Sequence, residues 1–221
     1  MTKWPLAVRR GLPALSAVLL LPALLLPGLA AAADLQVRVV DEGGAPVPDA
    51  VVLLEGVKGP AAPKAGATMV DQRDEVFTPY VQVIRAGATV TFRNSDETRH
   101  HVFSFSPARP LDTQLNPGQS SDALPFDKAG VVALGCNIHD SMVAYVYVAD
   151  SAHFAVTDAE GRATLAGAPD GPQTLRVWSP RLRPGAPEPT QPVTVAAGAA
   201  AEVALKNLLP DSRPDPTQSR Y

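Results

Sequence analysis

The chemistry-bearing residues of this chain stand close together. Gly135-Cys136-Asn137-Ile138-His139-Asp140-Ser141-Met142 places a thiol, an imidazole and a thioether on one short loop, each three residues after the last. A copper ion that must be held as both Cu(I) and Cu(II) calls for this combination, because two imidazoles and a thiolate in a plane with a weak axial thioether compromise between the two states. The loop lacks only a second histidine. One is available upstream in Arg99-His100-His101-Val102-Phe103, at the start of an alternating run. Cys136 is the only cysteine in 221 residues, which excludes a CxxC zinc site, a two-cysteine copper centre and an internal disulfide. Zinc on the same Cys and His side chains remains the chemical competitor. The bland alternative is a buried apolar cysteine, a core-filling methionine and a satisfied histidine, each common by itself. Their joint occurrence with an upstream histidine is what points to a metal.

Strands must position these groups. Tyr80 to Ile84 and Thr89 to Phe92 alternate around Ala86-Gly87, Asn94-Ser95-Asp96 reads as a polar turn, and Val102 to Phe105 resumes the alternation. A loop with Pro107, Pro110, Pro117 and Gly118 leads to Val131–Leu134, and Val143–Val148 follows the metal loop. No helical period of any length occurs, so an all-β sandwich or barrel is expected. Such a small core gains stability from a metal that links distant strands. Adjacent strand residues face opposite ways, so His100 and His101 cannot both bind one ion.

The ends have different textures. Residues 1–33 read as an export leader: Lys3, Arg9 and Arg10 precede a Leu-rich run, and Ala31-Ala32-Ala33 is a small-residue cleavage site. Pro13, Pro22 and Pro27 interrupt the apolar run, which argues against an uncleaved membrane anchor, and no stable membrane insertion is expected once the leader is removed. Export implies the periplasm or the extracellular side, the periplasm being the expectation, where a free thiol tends to oxidise unless a metal holds it. Loss of the leader takes the formal charge from −3 to about −6. That mild acidity, with no basic block, argues against nucleic acid as a partner.

From Leu35 the chain alternates through Val39, turns at Asp41–Pro48 and continues as the apolar run Ala50–Leu54. The Gly/Pro/Ala-rich stretch from Gly56 to Gly66 reads as a linker. Beyond Asp150, strand-like runs separated by Gly and Pro turns continue to Leu205, and the Pro-containing tail is expected to be disordered. The divisions are therefore 1–33, 34–66, 67–150, 151–208 and 209–221.

Two resemblances follow from these residues. Phe77-Thr-Pro79, Gly87 to Asn94, His100-His101-Val-Phe, Asp127-Lys-Ala-Gly130-Val and the Cys136-x2-His139-x2-Met142 loop resemble a cupredoxin of the plastocyanin and amicyanin type, with amicyanin's loop spacing. The resemblance covers nearly all of 67–150. It implies a Greek-key β-sandwich, one type 1 copper held by His100, Cys136, His139 and Met142, and electron transfer without enzymatic turnover. In that family the upstream ligand lies six residues after an Asn, so Asn94 points to His100, and His101 replaces the Asn that usually follows the ligand. His101 is the rival ligand. The second resemblance is to the transthyretin-like carboxypeptidase regulatory-like sandwich, carried by Val39-Val40-Asp41-x-x-Gly44-x-Pro46 before the middle segment and by Thr157-Asp158-x-x-Gly161 and Pro169-x-Gly171-x-x-x-Leu175 after it. Two strands alone are marginal in water, so one sandwich split by an inserted cupredoxin is the simplest arrangement. Two successive domains are the alternative.

Proteins of this combined layout are labelled methylamine-utilisation proteins, and the chain resembles them in Gly135 to Met142 followed by Tyr145 and Phe154-Ala-x-Thr157. That label implies an electron acceptor for an amine dehydrogenase; nothing in the residues identifies such a donor, and the expected partner is a redox protein, a dehydrogenase or a cytochrome. The competing function is a carbohydrate- or protein-binding sandwich with a structural or storage copper. Its recognition surface would need an exposed aromatic platform, whereas Trp178 sits in an alternating strand that suits a core role.

Overall fold

A computed structural model describes residues 1, 32–59 and 68–213. Most of the leader, part of the linker and the end of the tail lie outside the described residues. Every regular element among them is a strand. The chain opens with β1 (Ala32–Val40) and β2 (Val51–Leu54). The middle segment contributes β3 (Thr68–Arg73), β4 (Val76–Thr78), β5 (Val81–Arg85), β6 (Ala88–Asn94), β7 (His100–Ser104), β8 (Leu111–Leu115), β9 (Leu124–Phe126), β10 (Gly130–Cys136) and β11 (Val143–Ala149). It ends with β12 (Phe154–Val156), β13 (Arg162–Pro169), β14 (Gly171–Trp178), β15 (Thr190–Val195) and β16 (Ala200–Ala204).

The protein is all-β, built as two sandwiches. In the middle segment a five-stranded sheet, β5-β11-β10-β7-β8, faces a four-stranded sheet, β4-β3-β6-β9. Phe77, Phe92, Phe126, Val102, Leu134 and Val146 fill the space between them. The other sandwich sets β13-β1-β16 against β12-β2-β14-β15, so among the described residues the first two strands pair only with strands that follow residue 150. Leu35, Val37 and Val39 of β1 point inward at every second position, as a half-buried strand requires.

β2 is apolar at all four positions because both of its faces are covered. Val52 and Leu54 enter the core of their own sandwich, while Val51 and Leu53 pack against Val81, Tyr147 and Ala149 of the other. Trp178 closes this contact, its ring 5.4 Å from Tyr145 and 5.5 Å from Tyr147. At 8% exposure Trp178 is part of the seam and offers no open platform to a carbohydrate. A polar edge borders the seam: the Tyr147 hydroxyl donates to Glu188 Oε2 at 2.7 Å, and Arg176 pairs with Asp150. Burial lifts the Glu188 carboxyl above its ordinary range although the Tyr147 hydroxyl and the Arg176 guanidinium pull it down.

Four strands of the middle segment depart from the sequence expectation. β8 and β9 run through the segment read as a proline-containing loop, and β3 and β4 precede the first strand expected there. β8 buries only Leu111 and Leu115 and turns Asp112 outward, so its three central residues carry no apolar signal. β3 buries Gln72 beside Val70, which disguises its inward face as polar. Gln72 Nε2 donates to Arg93 O at 2.9 Å on the neighbouring strand β6.

Candidate metal centre

The site forms where β7 and β10 lie side by side. β7 alternates strictly, so His100, Val102 and Ser104 face the core and His101 and Phe103 face out. Cys136 is the last residue of β10 and pairs with Val102, which places its thiol on the inward face next to His100. The chain then turns tightly, the Met142 N–H donating to His139 O at 3.0 Å, and re-enters the sheet as β11. That turn returns His139 over His100, with ring centroids 5.0 Å apart and the planes at 61°.

His100, Cys136 and His139 each present a ligand atom within 4.8 Å of the others, forming a possible metal site. Cys136 Sγ is 3.8 Å from His100 Nδ1. His139 Nδ1 is buried and has no hydrogen-bond partner among the described residues. A buried imidazole nitrogen without a partner is costly unless something binds it, and a metal ion among these donors would do so. The donor set suits a soft or borderline ion. Met142 is fully buried in the core that also contains Cys136.

His101 lies outside the cluster, as the strand period demands. Its Nε2 is 2.7 Å from Asp112 Oδ1 on β8, and its Nδ1 is 2.8 Å from the Asn137 side-chain amide on the loop. It therefore links the loop to the edge of the sheet, next to the thiolate ligand candidate. Gly135 precedes that thiol with no side chain because the Phe103 ring fills the space. A Cβ there would meet Phe103 Cζ at 2.8 Å.

The turn from β6 to β7 is held by Asn94. Its amide donates to Thr98 O at 2.8 Å and to Leu115 O at 3.0 Å, while its carbonyl oxygen accepts the Asp96 N–H at 2.9 Å. Sequence reasoning named Asn94 as a signpost to His100 but missed Asp96 and Glu75, which stand behind the two imidazoles. Asp96 Oδ2 is 2.7 Å from His100 Nε2, and Glu75 Oε1 is 3.6 Å from His139 Nε2. Burial pushes the Asp96 carboxyl up, but hydrogen bonds from the Glu75 N–H, His100 and the Asp74 N–H outweigh it and hold the group below the usual carboxylate range. Asp96 lies four residues before His100, so spacing could have flagged it. Glu75 reaches the site only through the fold.

No family model matches the chain, and no curated protein matches it. Solved structures similar to parts of it include a Cu-containing nitrite reductase from Thermus scotoductus, 26% identical with a TM-score of 0.37. That match covers 42% of this chain and spans only 24% of the reductase. A purple cupredoxin from Nitrosopumilus maritimus is 22% identical, the match covering 37% of this chain and 99% of that one with a TM-score of 0.34. A methionine-to-alanine mutant of amicyanin in its Cu(I) form is 21% identical, over 44% and 98% of the two chains, with a TM-score of 0.35.

Proposed function

We propose that this chain is an exported single-electron carrier with one type 1 copper. His100, Cys136 and His139 would supply the trigonal plane and Met142 the long axial ligand. The observation that carries this reading is the convergence of a buried thiol and two imidazoles within 4.8 Å, one imidazole nitrogen being buried without a partner among the described residues. When bound, copper would supply a one-electron couple. The protein's part is to hold donors suited to both oxidation states, so that little rearrangement accompanies the gain or loss of an electron. β7 and β10 give His100 and Cys136 a rigid base, and the short loop fixes His139 and Met142 against it.

We place the carrier in the periplasm on the strength of the leader read at residues 1–33, and we expect its partner to be another redox protein, a dehydrogenase or a cytochrome. Nothing in the residues favours an amine dehydrogenase over another donor. The binding-module alternative is disfavoured by Trp178, which is spent on the seam between the sandwiches.

Metal titration followed by potentiometry tests the proposal. One copper per chain and a reversible one-electron wave, both lost in His100→Ala, are expected. A chain that takes zinc in preference and shows no reversible wave with copper would overturn it in favour of a structural site.

A further inference from the structure

The two imidazoles share more than a position. His100 has Nδ1 3.8 Å from Cys136 Sγ and Nε2 2.7 Å from Asp96, and His139 has Nε2 3.6 Å from Glu75 with its Nδ1 buried. The contact with Asp96 is a strong charge-assisted hydrogen bond, on a carboxylate whose side chain is only 13% exposed. The contact with Glu75 is too long for a hydrogen bond and acts through charge.

The two carboxylates belong to one unit. Asp74 and Glu75 form the two-residue turn between β3 and β4, both with positive φ (53° and 55°). Such a turn suits the twist of a hairpin but strains a glutamate. Asp96 accepts both amides of that turn, from Asp74 at 2.6 Å and from Glu75 at 3.0 Å. The carboxylate behind His100 thus also holds the turn that brings the second carboxylate to His139. Ser95, its neighbour, ties the same corner by donating to Asp71 on β3 at 2.7 Å.

We propose that Asp96 and the Asp74–Glu75 turn form a single anionic bracket that keeps the His100 proton on Nε2, leaves its Nδ1 lone pair free beside the Cys136 thiol, and lowers the reduction potential of the bound metal. The tautomer follows from the hydrogen bond: a carboxylate accepts only, so the ring nitrogen facing it carries the proton and the other is free to ligate. The potential follows from charge, since two carboxylates behind the ligands stabilise the more positive metal ion. The redox half rests on the copper reading above, whereas the tautomer half does not. Asp96 and Glu75 are positioning residues, and Asp96 carries the larger share because it is closer and less exposed.

Imidazole nitrogen NMR of the metal-free protein at about pH 8.5, well above the ordinary imidazole value of roughly 6.5, reads the tautomer directly. His100 is expected as the Nε2–H form, with the Nδ1–H form appearing in Asp96→Asn. In the copper-loaded protein, Asp96→Asn should raise the potential more than Glu75→Gln does, and lower Cu(II) affinity by about 10- to 100-fold. A His100 proton on Nδ1 in the wild type overturns the proposal. So does a folded Asp96→Asn protein with tautomer and potential unchanged. Should Asp96→Asn fail to fold, Glu75→Gln retains the backbone contact to Asp96, and an unchanged potential in that variant overturns the bracket's electrostatic role. Failure of the copper reading is separately visible as a wild type that takes up no copper, and the nitrogen spectra still decide the tautomer.

Discussion

Cys136→Ser is expected to remove the intense visible absorption of the copper-loaded protein while leaving the fold in place. The change replaces sulfur by oxygen at a position that is 4% exposed, paired with Val102 and flanked by core residues. A serine hydroxyl is not deprotonated at neutral pH and is a harder donor, so the thiolate-to-copper transition has no source. Cu(II) affinity should fall by more than the roughly 10- to 100-fold typical of outer-shell changes, because a ligand is lost outright. The cost to the metal-free fold is small, about 1–2 kcal/mol for a buried hydroxyl in a partly apolar pocket. Thermal unfolding of the metal-free variant beside the wild type separates the two effects. An absorption that survives the substitution would mean that Cys136 is not a ligand.

Gly161→Ala should be the most damaging single-methyl change in the other sandwich. Gly161 has φ 73°, and a Cβ on it would lie 2.4 Å from Val39 O and 3.1 Å from Val47 N. Both contacts are backbone atoms that cannot swing away, and Val39 N–H donates to Gly161 O at 2.7 Å, locking the approach. Left-handed strain alone costs about 1–3 kcal/mol; with the clash, a loss of roughly 3 kcal/mol or more is expected. Gly198→Ala is the control. It has φ 75° but nothing within 4 Å of the added methyl, so it should lose only about 1 kcal/mol. Denaturant unfolding compares them, and equal losses would show that the contact with β1 is unimportant. Folded Gly161→Ala protein should keep its copper spectrum, since the residue belongs to the sandwich without the metal.

The parts of the structure that sequence could reveal are those governed by local period. Alternation from Leu35 to Val39 marked β1 and the apolar run to Leu54 marked β2, while the structure adds that β2 is covered on both faces. Period two also separated His100 from His101, because only one of two neighbours can face the core. The structure brings His100 to Cys136 and His139 and sends His101 to Asp112 and Asn137. Local period failed where burial is partial or polar. β8 shows the core only its two end leucines, and β3 hides its inward face behind Gln72. The carboxylate behind His139 was invisible for a different reason: Glu75 meets that ring only because the β3–β4 turn is bent under Asp96, a contact between distant segments that no spacing announces. The place of Trp178 was likewise legible as buried, but the surface it is buried against belongs to the other sandwich.

The most direct measurement is the visible and EPR spectrum of the wild-type protein loaded with one equivalent of Cu(II). An intense thiolate-to-copper band together with narrow copper hyperfine splitting is the predicted result, because on the proposed reading Cys136, His100, His139 and Met142 would hold the ion in a low-symmetry site with a thiolate ligand. A colourless protein with the wide splitting of an ordinary tetragonal site would contradict the electron-carrier account.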